Sequence, residues 1–460
     1  MRVCVVGAGY VGLVSAVGLA EHGHQVTCVD ADHVKVAAIA EGRSPIVEPG
    51  LTELLGRHAG RSVRATGDLA AAVVAADLTL LCVGTPSRRD GSIDTSALRD
   101  AAEQVGVALV ARPAGAAPPV VVVKSTVVPG VTDGIVAETL VATSGLVRGR
   151  DLGVGVNPEF LTEGQAVADF LEPDRLVIGG DEIALAALRL LYGGFSAVPV
   201  IETGARTAEM IKYASNALLA TAISFANEIA LIADAVGGVD ALAVMQGVHA
   251  SRYLTTPTDA GPVVAGLASF LEAGCGYGGS CLPKDVAALS AHGRAAGAPV
   301  RVLEAVAAVN GGQPARLVEL LRRELGPLAG RAVTVLGLAF KPDTDDVRHS
   351  PAIPVLRGLL DAGASVVAHD PVVGPAALAG LDGVGHTGDL RVALSGAEAV
   401  VLVTRWSDYL AVPALLHESG ATPLVVDGRR LLDPRDVPRY AALGLTHGDR
   451  PATPDLHRKA

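Results

Sequence analysis

One cysteine of this chain stands between a run of glycines and a Pro-Lys-Asp triplet, in the stretch GYGGSCLPKD at residues 276–285. Glycines allow a backbone and a ligand to approach each other closely. Lys284, three residues after Cys281, supplies a positive charge that favours the thiolate, which is the reactive form of a cysteine. This stretch by itself fits a catalytic nucleophile and a residue that only fills a loop equally well.

Two polar residues interrupt a long apolar segment that is predicted to form one helix from Thr207 to Val236. Lys212 and Asn216 are four residues apart, so they share one face of that helix. An unpaired amine is costly in apolar surroundings. The two residues are therefore candidates for stabilising an oxyanion, and solvated side chains at an exposed helix end are the competing interpretation.

The segment VVGAGYVG has the glycine spacing of a dinucleotide-binding turn, with Gly7, Gly9 and Gly12 directly after a strand-like run. The first glycine makes the turn, the second admits a pyrophosphate at a helix N-terminus, and the third lets helix and strand pack closely. A second strand, QVTCVD, ends in Asp30, which would accept hydrogen bonds from the adenosine ribose and repel a 2′-phosphate. NAD is therefore predicted rather than NADP. Lys35 is a weaker candidate for the adenosine site, because a solvated helix lysine would look the same.

Further polar residues follow two other predicted strands. VVVVKSTVVPG ends a strand at Lys124-Ser125-Thr126, and GVNPEFLTEG ends another at Glu159 and Glu163. Ligands of an open parallel sheet bind outside the carboxyl ends of its strands. Both segments are therefore predicted to face the crevice that holds the nicotinamide.

Together these groups could carry an alcohol to a carboxylate. A first hydride transfer would give an aldehyde, and the thiolate of Cys281 would add to it. The resulting thiohemiacetal can lose a second hydride, and water then cleaves the thioester. A simple alcohol dehydrogenase would have no use for the cysteine.

The elements that must position these residues alternate between strand-like runs and alanine-rich helical segments. This pattern indicates an α/β protein. We expect two Rossmann-like doubly wound parallel-sheet domains joined by a long central helix, with a second strand series that begins at RAVTVLGLAF. The predicted boundaries are 1–200 for the NAD-binding domain, 201–325 for a central helical and dimerisation region with the catalytic loop, 326–446 for the second Rossmann-like domain and 447–460 for a disordered tail.

The composition excludes several classes of function. A chain of 460 residues is too long for one ordinary core, so more than one domain is expected. Its net charge of -11 argues against nucleic-acid binding, which requires a basic face. Five cysteines spread over separate segments favour a reducing compartment over a disulfide framework, and we expect a cytoplasmic protein. The apolar N-terminus fits a strand, turn and helix better than a signal peptide, and no membrane partner is expected.

The predicted long helix is apolar around most of its circumference. Such a helix needs covering on more than one side. We therefore expect a homo-oligomer, namely a dimer built along this helix.

Eight segments of the chain, taken in order, resemble those of the UDP-glucose/GDP-mannose dehydrogenases. They are GAGYVG, SPIVEPGL, CVGTP, KSTVVPG, NPEFLTEGQAVADFLEPDRLVIGG, AEMIKYASNALLATAISFANEIA, GYGGSCLPKD and GLAFKPDTDDVRHSP. The resemblance extends from Met1 to about Leu432. It implies NAD-dependent, four-electron oxidation of the C6 hydroxyl of a nucleotide sugar, which residues 326–446 would bind. UDP-glucose is the first substrate expected, with GDP-mannose, dTDP-glucose and a UDP-N-acetylhexosamine as alternatives.

The resemblance also implies catalytic roles for individual residues. Cys281 would be the nucleophile, and Lys212 and Asn216 would stabilise the oxyanion. Asp285 and Thr126 would position water or relay protons.

A sixth residue, Glu159, would be the general base of thioester hydrolysis by the same resemblance, and no metal is expected. The cofactor-binding candidates, from the glycine motif and the resemblance together, are Gly7, Gly9, Tyr10, Val11, Gly12, Asp30, Lys35, Thr85, Thr126, Glu163, Lys284 and Arg348. The substrate-binding candidates are Glu159, Phe160, Leu161, Glu163, Lys212, Asn216, Phe270, Leu271, Gly274, Gly278 and Lys341.

The chain departs from the family pattern before the glycine loop. Family members carry an arginine there that reaches the neighbouring subunit's site, but Arg252 lies 29 residues before Cys281, a longer interval than expected. The position before Pro-Lys-Asp is Leu282 instead of the usual aromatic residue. Arg429, in VVDGRR, is a weak candidate for the nucleotide site.

Two other classes of protein share some of these features. A two-electron β-hydroxyacid dehydrogenase would have the dinucleotide domain and the long helix, but it would leave Cys281 unexplained. A non-catalytic cofactor-binding protein would not need Cys281, Lys212, Asn216 and Glu159 together. Counting NADH formed per sugar separates these classes.

Overall fold

The computed structural model describes residues 1–195, 197–259 and 261–445. These residues form two compact units. The first unit consists of Met1–Ser215 with Ala291–Ala296, and the second of Asn216–Ser290 with the described residues from Gly297 onward. The division into domains at residues 200 and 325 stays a prediction, and the predicted tail 447–460 lies outside the described residues.

One eight-stranded sheet forms the centre of the first unit. Its strands are β1 Arg2–Val6, β2 Gln25–Val29, β3 Val63–Thr66, β4 Leu78–Leu81, β5 Val120–Val123, β6 Gly153–Val156, β7 Leu176–Gly180 and β8 Val200–Thr203. They lie in the order β3-β2-β1-β4-β5-β6-β7-β8. Neighbouring strands are parallel throughout the first six positions of this order, β3-β2-β1-β4-β5-β6. This is the strand order of a dinucleotide-binding sheet.

The strands predicted for this part of the chain are confirmed, because each contains a short run of buried apolar residues. β3, β7 and β8 are not among them; β3 and β8 are edge strands with polar or exposed residues. The sheet departs from a wholly parallel one at β6 and β7, which pair antiparallel. Glycines allow this close pairing, since a Cβ on Gly180 would come within 2.6 Å of the Cα of Gly155.

Helices alternate with these strands, as expected for a doubly wound sheet. They are α1 Tyr10–Glu21, α2 His33–Ala40, α3 Leu51–His58, α4 Leu69–Ala75, α5 Ser96–Leu109, α6 Ala137–Ser144, α7 Ala166–Leu171 and α8 Glu182–Leu191. A π-helical turn, Thr132–Val136, leads directly into α6. α1 is buried from Gly12 to Ala20, which explains its almost entirely apolar sequence.

A single helix, α9 Ala205–Val236, belongs to the first unit up to Ser215 and to the second from Asn216. It confirms the predicted helix and begins two residues earlier. By length and composition alone α9 could cross a membrane, with a mean hydropathy of 1.5 over its most apolar window. The same helix buries Lys212 and Asn216, so it also carries polar side chains of the site described below.

The second unit contains a second parallel sheet. Its strands are β11 Ala332–Leu336, β12 Ser365–His369, β13 Val384–His386, β14 Ala399–Leu402, β15 Leu424–Asp427 and β16 Tyr440–Ala441, after a separate hairpin of β9 Thr255–Thr258 and β10 Gly261–Val264. The order β13-β12-β11-β14-β15-β16 repeats the pattern of the first six strands of the other sheet. The predicted second strand series is therefore confirmed. The helices after α9 are α10 Ala241–His249, α11 Leu282–Ala295, α12 Arg301–Leu325, α13 Ala352–Asp361, α14 Leu390–Leu394 and α15 Val412–Ser419.

In each sheet, a turn of the same conformation follows the first strand in chain order. Gly7 after β1 has φ 98° and Gly337 after β11 has φ 99°, a conformation that favours glycine. Asp30 accepts a backbone N–H from the first turn at 2.8 Å, and Asp370 accepts one from the second at 2.7 Å. Asp370 is 2% exposed, whereas Asp30 is half-buried, so only Asp30 presents its carboxylate at the surface of its turn.

Candidate active site

The turn after β1 leaves open space at the start of α1. Gly12 packs so closely against the turn that a Cβ there would overlap the carbonyl oxygen of Gly7. At Gly9, by contrast, no atom of the described residues beyond its two chain neighbours lies within 4 Å of the place that a Cβ would take. Backbone N–H groups at the start of a helix attract phosphate. The opening at Gly9, with half-buried Tyr10 and Val11 beside it in the first turn of α1, therefore suits the pyrophosphate of a dinucleotide.

Asp30 is fixed beside this opening. One of its carboxylate oxygens accepts the N–H of Ala8 at 2.8 Å, and the other accepts the N–H of Asp32 at 2.9 Å. Asp32 in turn caps α2, so Lys35 lies in the first turn of that helix. A carboxylate oxygen has two lone pairs, so Asp30 keeps acceptor capacity for a ribose hydroxyl. The open cradle and the adjacent acid fit NAD.

Glu48, from the segment SPIVEPGL, connects three parts of the first unit. Its carboxylate accepts the hydroxyl of Tyr10 and, at 2.7 Å each, the N–H groups of Gly164 and Ala166. The Tyr10 hydroxyl is therefore held by the protein. These bonds fix the segment before α7 that carries the cofactor candidate Glu163.

Thr85 and Thr126 are brought together at the carboxyl ends of β4 and β5. The hydroxyl of Thr85 donates to the carbonyl oxygen of Thr126 at 2.8 Å. Thr85 is buried and Thr126 is half-buried, so the hydroxyl of Thr126 is the more accessible of the two. Two residues before Thr126, the Lys124 ammonium donates to the side chain of Asn157 at 2.8 Å.

Glu159 and Lys212 form a buried ion pair in the first unit. Their carboxylate and ammonium groups are 3.0 Å apart, and their side chains are 6% and 5% exposed. The N–H of Leu161 donates to Glu159 at 2.6 Å, and the Lys212 ammonium lies 5.5 Å from the centre of the Phe160 ring. Burial by itself would raise the pKa of Glu159. The charge of Lys212, the N–H of Leu161 and the charge of Lys124 outweigh burial and hold that pKa below its ordinary value.

Glu209 fixes the start of α9 one turn before Lys212. It is 1% exposed and accepts the N–H groups of Gly130 at 2.6 Å and Thr132 at 2.8 Å. Burial raises the pKa of Glu209, although these N–H groups oppose the shift. α9 is thereby attached to the loop that continues from Thr126.

Asn216 and Asp285 form a second buried polar pair, in the second unit. The amide of Asn216 donates to one carboxylate oxygen of Asp285 at 2.6 Å, and the Lys284 ammonium lies 2.5 Å from the other. Asp285 is 1% exposed. This carboxylate has a donor on each oxygen, which accounts for a charged group so deep in the protein.

Cys281 immediately precedes α11, and its carbonyl oxygen accepts the N–H of Asp285 at 2.8 Å. The hydroxyl of Ser280 lies 3.6 Å from its sulfur. All five cysteines are free, and the other four are buried while Cys281 is partly exposed. The N-terminus of α11 favours a negative charge on this sulfur.

The predicted sugar-nucleotide glycines are packed tightly within the second unit. A Cβ on Gly274 would lie 2.7 Å from the carbonyl oxygen of Gly428, and one on Gly278 would overlap the carbonyl oxygen of His349. Packing therefore requires glycine at both positions, whatever they bind. Their contact with a nucleotide sugar stays a prediction.

Phe270 and Leu271 pack in an apolar cluster with Met245 of α10. Leu271 is 9% exposed, so its side chain packs within this cluster. Arg252 is exposed and lies just before the hairpin of β9 and β10. That hairpin lies within the interval between Arg252 and Cys281.

Three basic residues near the second sheet have protein partners. The Lys341 ammonium lies 6.0 Å from the centre of the Phe340 ring, Arg348 pairs with Asp346 at 2.7 Å, and Arg429 donates to a backbone carbonyl at 2.7 Å. Their predicted contacts with the cofactor or the sugar nucleotide stay predictions.

Glu48, Lys124, Asn157 and Glu209 are buried polar residues of the first unit to which the sequence analysis gave no individual role, although the segment of Lys124 was expected to face the crevice of the nicotinamide. Two of them had a signal in the sequence. Lys124 follows four valines at the end of a strand, and Glu209 stands in an apolar helix, where charged residues are rarely buried without a partner. Glu48 and Asn157 lie in loops, and their partners become visible only in the fold.

Comparison with known proteins identifies the same family over three segments. Residues 1–196, 206–311 and 334–434 match the NAD binding domain, the central domain and the UDP binding domain of the UDP-glucose/GDP-mannose dehydrogenase family. UDP-glucose 6-dehydrogenase AglM of Haloferax volcanii is 40% identical over 448 residues, which are 96% of this chain and 100% of that protein. UDP-glucose 6-dehydrogenase of Pseudomonas aeruginosa is 42% identical over an alignment that covers 97% of this chain and 96% of that protein. A UDP-glucose dehydrogenase structure from Pyrobaculum islandicum has a TM-score of 0.86 and 39% identity, covering 96% of this chain and 97% of that one.

Proposed function

The chain belongs to the UDP-glucose/GDP-mannose dehydrogenase family, and from that premise we propose that it oxidises the C6 hydroxyl of UDP-glucose to the carboxylate of UDP-glucuronate. It is an NAD-dependent dehydrogenase. Gly9 and Asp30 would hold NAD, which would supply the hydride acceptor for both oxidations, so that two NAD would be reduced for every sugar. The balanced reaction consumes one alcohol, two NAD⁺ and one water, and it releases one carboxylate, two NADH and three protons.

The observation that carries this proposal is the partly exposed thiol of Cys281 at the start of α11. Its thiolate adds to C6 of the aldehyde and forms a carbon–sulfur bond. Loss of a second hydride turns this thiohemiacetal into a thioester. Water then attacks the carbonyl carbon, the carbon–sulfur bond breaks, and the thiol is regenerated.

The two buried pairs supply the acid–base and electrostatic groups of this reaction. Glu159, which is held as a carboxylate, takes the proton of the attacking water, and Lys212 balances the negative oxygen that develops on C6. The amide nitrogen of Asn216 has two N–H donors. One donates to Asp285, and we assign the other to the same oxyanion.

UDP-glucose is proposed as the substrate because relatives named UDP-glucose 6-dehydrogenase match this chain almost from end to end. The UDP binding domain matched by residues 334–434 supports a uridine nucleotide. A substrate panel tests the proposal, with NADH counted per sugar for UDP-glucose, GDP-mannose, dTDP-glucose and UDP-N-acetylglucosamine. We expect the highest kcat/KM with UDP-glucose and two NADH per sugar. A single NADH per sugar, or a higher kcat/KM with another nucleotide sugar, would overturn it.

We further propose that the chain is a cytoplasmic homodimer that pairs along α9. Leu218, Phe225 and Ile232 are 55%, 48% and 50% exposed and follow one another at intervals of seven residues. Such spacing places them in one stripe of the helix. Large exposed apolar stripes are typical of association surfaces. The five free cysteines support a reducing compartment.

A further inference from the structure

Lys124 is a buried cation at the carboxyl end of β5, directly after four buried valines. Its side chain is buried, and the whole residue is 4% exposed. Among the described residues, its ammonium donates one hydrogen bond, to the side-chain oxygen of Asn157 at 2.8 Å. An ammonium has three donors, so Lys124 is poorly compensated for the water that it loses on folding.

The acceptor of this hydrogen bond is shared. The hydroxyl of Tyr192 donates to the same oxygen of Asn157 at 2.5 Å, and the amide nitrogen of Asn157 donates to the carbonyl of Val177 at 2.9 Å. Asn157 is 1% exposed and would keep Tyr192 as a donor if the lysine were absent. Asn157 therefore has hydrogen-bond partners that do not involve the charge of Lys124.

Lys124 is connected to the neighbouring ion pair of Glu159 and Lys212 through its hydrogen-bond partner, because Asn157 stands two residues before Glu159 in the loop after β6. The titratable groups that face Lys124 are the Cys82 thiol after β4, Glu159 after β6, Tyr192 after α8 and Lys212 of α9. Burial lowers the pKa of Lys124 to about 8, the thiol and Glu159 oppose this shift, and Lys212 adds to it. The charge of Lys124 is also one of the causes that hold the pKa of Glu159 below its ordinary value.

We propose that Lys124 is a positioning residue of the proposed oxidation, whose buried charge keeps Glu159 ionised and leaves the cluster of Lys124, Glu159 and Lys212 with a net positive charge. This inference rests on the proposed function, since Glu159 is the general base only in that reaction. The net charge favours the anionic oxygen that develops on C6. Loss of the Lys124 proton at alkaline pH removes that advantage.

Removing the charge of Lys124 should have opposite effects on the stability of the fold according to whether this lysine serves only the fold or serves the reaction. Methionine has nearly the same length and no charge, and replacing a poorly compensated buried charge by an apolar group is neutral or stabilising. Lys124→Met should therefore unfold at the same or a higher temperature than the wild type at pH 7. If the lysine were needed for folding, the variant would be less stable.

The experiment compares wild type, Lys124→Met and the matched control Thr79→Val, which changes a buried polar residue on the neighbouring β4. We expect kcat of Lys124→Met to fall by roughly 10-fold or more with KM nearly unchanged, because the interaction acts on the reacting groups. We also expect the acid limb of its kcat–pH profile to move to higher pH, since Glu159 loses a neighbouring cation. The control should keep the wild-type profile.

Every outcome bears on the proposal. A folded Lys124→Met with the wild-type profile would overturn it, and so would a Lys124→Met that is unstable or unfolded at pH 7. The stability readout does not depend on the substrate. Burial lowers the pKa of Lys124 in the folded protein to about 8, whereas the unfolded chain keeps the ordinary lysine value. Between about pH 8 and pH 10 the folded protein therefore loses this proton before the unfolded chain does. Over that range the wild type should gain stability relative to Lys124→Met. If the wild type oxidises no nucleotide sugar, the proposed function fails while this readout still reports on the buried charge.

Discussion

The amide nitrogen of Asn216 lies 2.6 Å from a carboxylate oxygen of Asp285, and both side chains are buried in the second unit. Asn216 is one helical turn after Lys212 on α9, and Lys212 pairs with Glu159 at 3.0 Å. The pair of Glu159 and Lys212 belongs to the first unit, and the pair of Asn216 and Asp285 belongs to the second. Each pair gives a separate prediction.

Asp285→Asn should abolish most of the turnover while leaving the fold intact. The variant keeps the size of the side chain but removes the charge that Lys284 pairs with at 2.5 Å. We expect kcat to fall by roughly 100-fold, the usual size of a lost acid–base group. Steady-state kinetics with UDP-glucose measure this. A fall below 3-fold would mean that Asp285 only holds Asn216 in place.

Lys212→Met should change both turnover and its pH dependence. Glu159 would lose the cation that most strongly opposes the effect of burial, so its pKa should rise. We expect kcat to fall by roughly 100-fold or more, as when one oxyanion donor is removed, and the acid limb of the profile to move to higher pH. A raised KM with kcat retained would instead mean that Lys212 only binds substrate.

The ion pair of Glu159 and Lys212 should also affect stability in acid. A carboxyl whose pKa is lowered by folding stabilises the protein above its unfolded-state pKa, and this contribution disappears as pH falls through the folded-state value. The wild type should therefore lose stability below about pH 4 more steeply than the double variant Glu159→Gln/Lys212→Met. Parallel curves of the unfolding temperature against pH would contradict this.

Asp30→Asn should narrow the preference for NAD. Asparagine retains one acceptor for the backbone N–H groups of this turn and removes the charge that repels a 2′-phosphate. We expect the ratio of kcat/KM with NAD to that with NADP to be well above one in the wild type and to fall by about 10-fold or more in the variant. Equal values for both cofactors in the wild type would remove Asp30 from cofactor selection.

The proposed dimer should come apart when its apolar stripe is charged. Phe225→Glu with Ile232→Glu introduces like charges in the middle of the exposed stripe of α9. Light scattering should give about 93 kDa for the wild type, twice the 46.5 kDa of one chain, and about half of that for the variant. Val107→Glu is the control, because Val107 is an exposed apolar residue of another helix, α5. A wild type of 46.5 kDa at assay concentration contradicts the dimer.

Much of the fold could be predicted because local patterns determine it. The run of valines in β5 and the unbroken apolar sequence of α9 each indicate one kind of element, and the structure confirms both. The edge strands β3 and β8 could not be predicted, since exposed strands carry no apolar run. The antiparallel pairing of β6 and β7 depends on contacts between distant glycines, which no local pattern encodes.

Candidate site residues could be proposed from the sequence one by one, but the pairs that they form could not. Cys281, Lys212 and Asp285 stand out by type and position in the sequence. Nothing in the sequence says that Glu159 pairs with Lys212 or that Asp285 accepts the amide of Asn216. Such contacts join residues far apart in the chain, so they follow from the topology of the fold rather than from any motif.

The most direct test of the proposed chemistry is the number of NADH formed per sugar by the wild type and by Cys281→Ala. The wild type should form two NADH and one carboxylate, because the thiolate retains the aldehyde until the second hydride transfer. Cys281→Ala cannot form the carbon–sulfur bond, although it should bind NAD and UDP-glucose normally in calorimetry. It should make no carboxylate and at most one NADH per sugar, slowly. Carboxylate formed by Cys281→Ala at nearly the wild-type rate, with two NADH per sugar, would contradict the account.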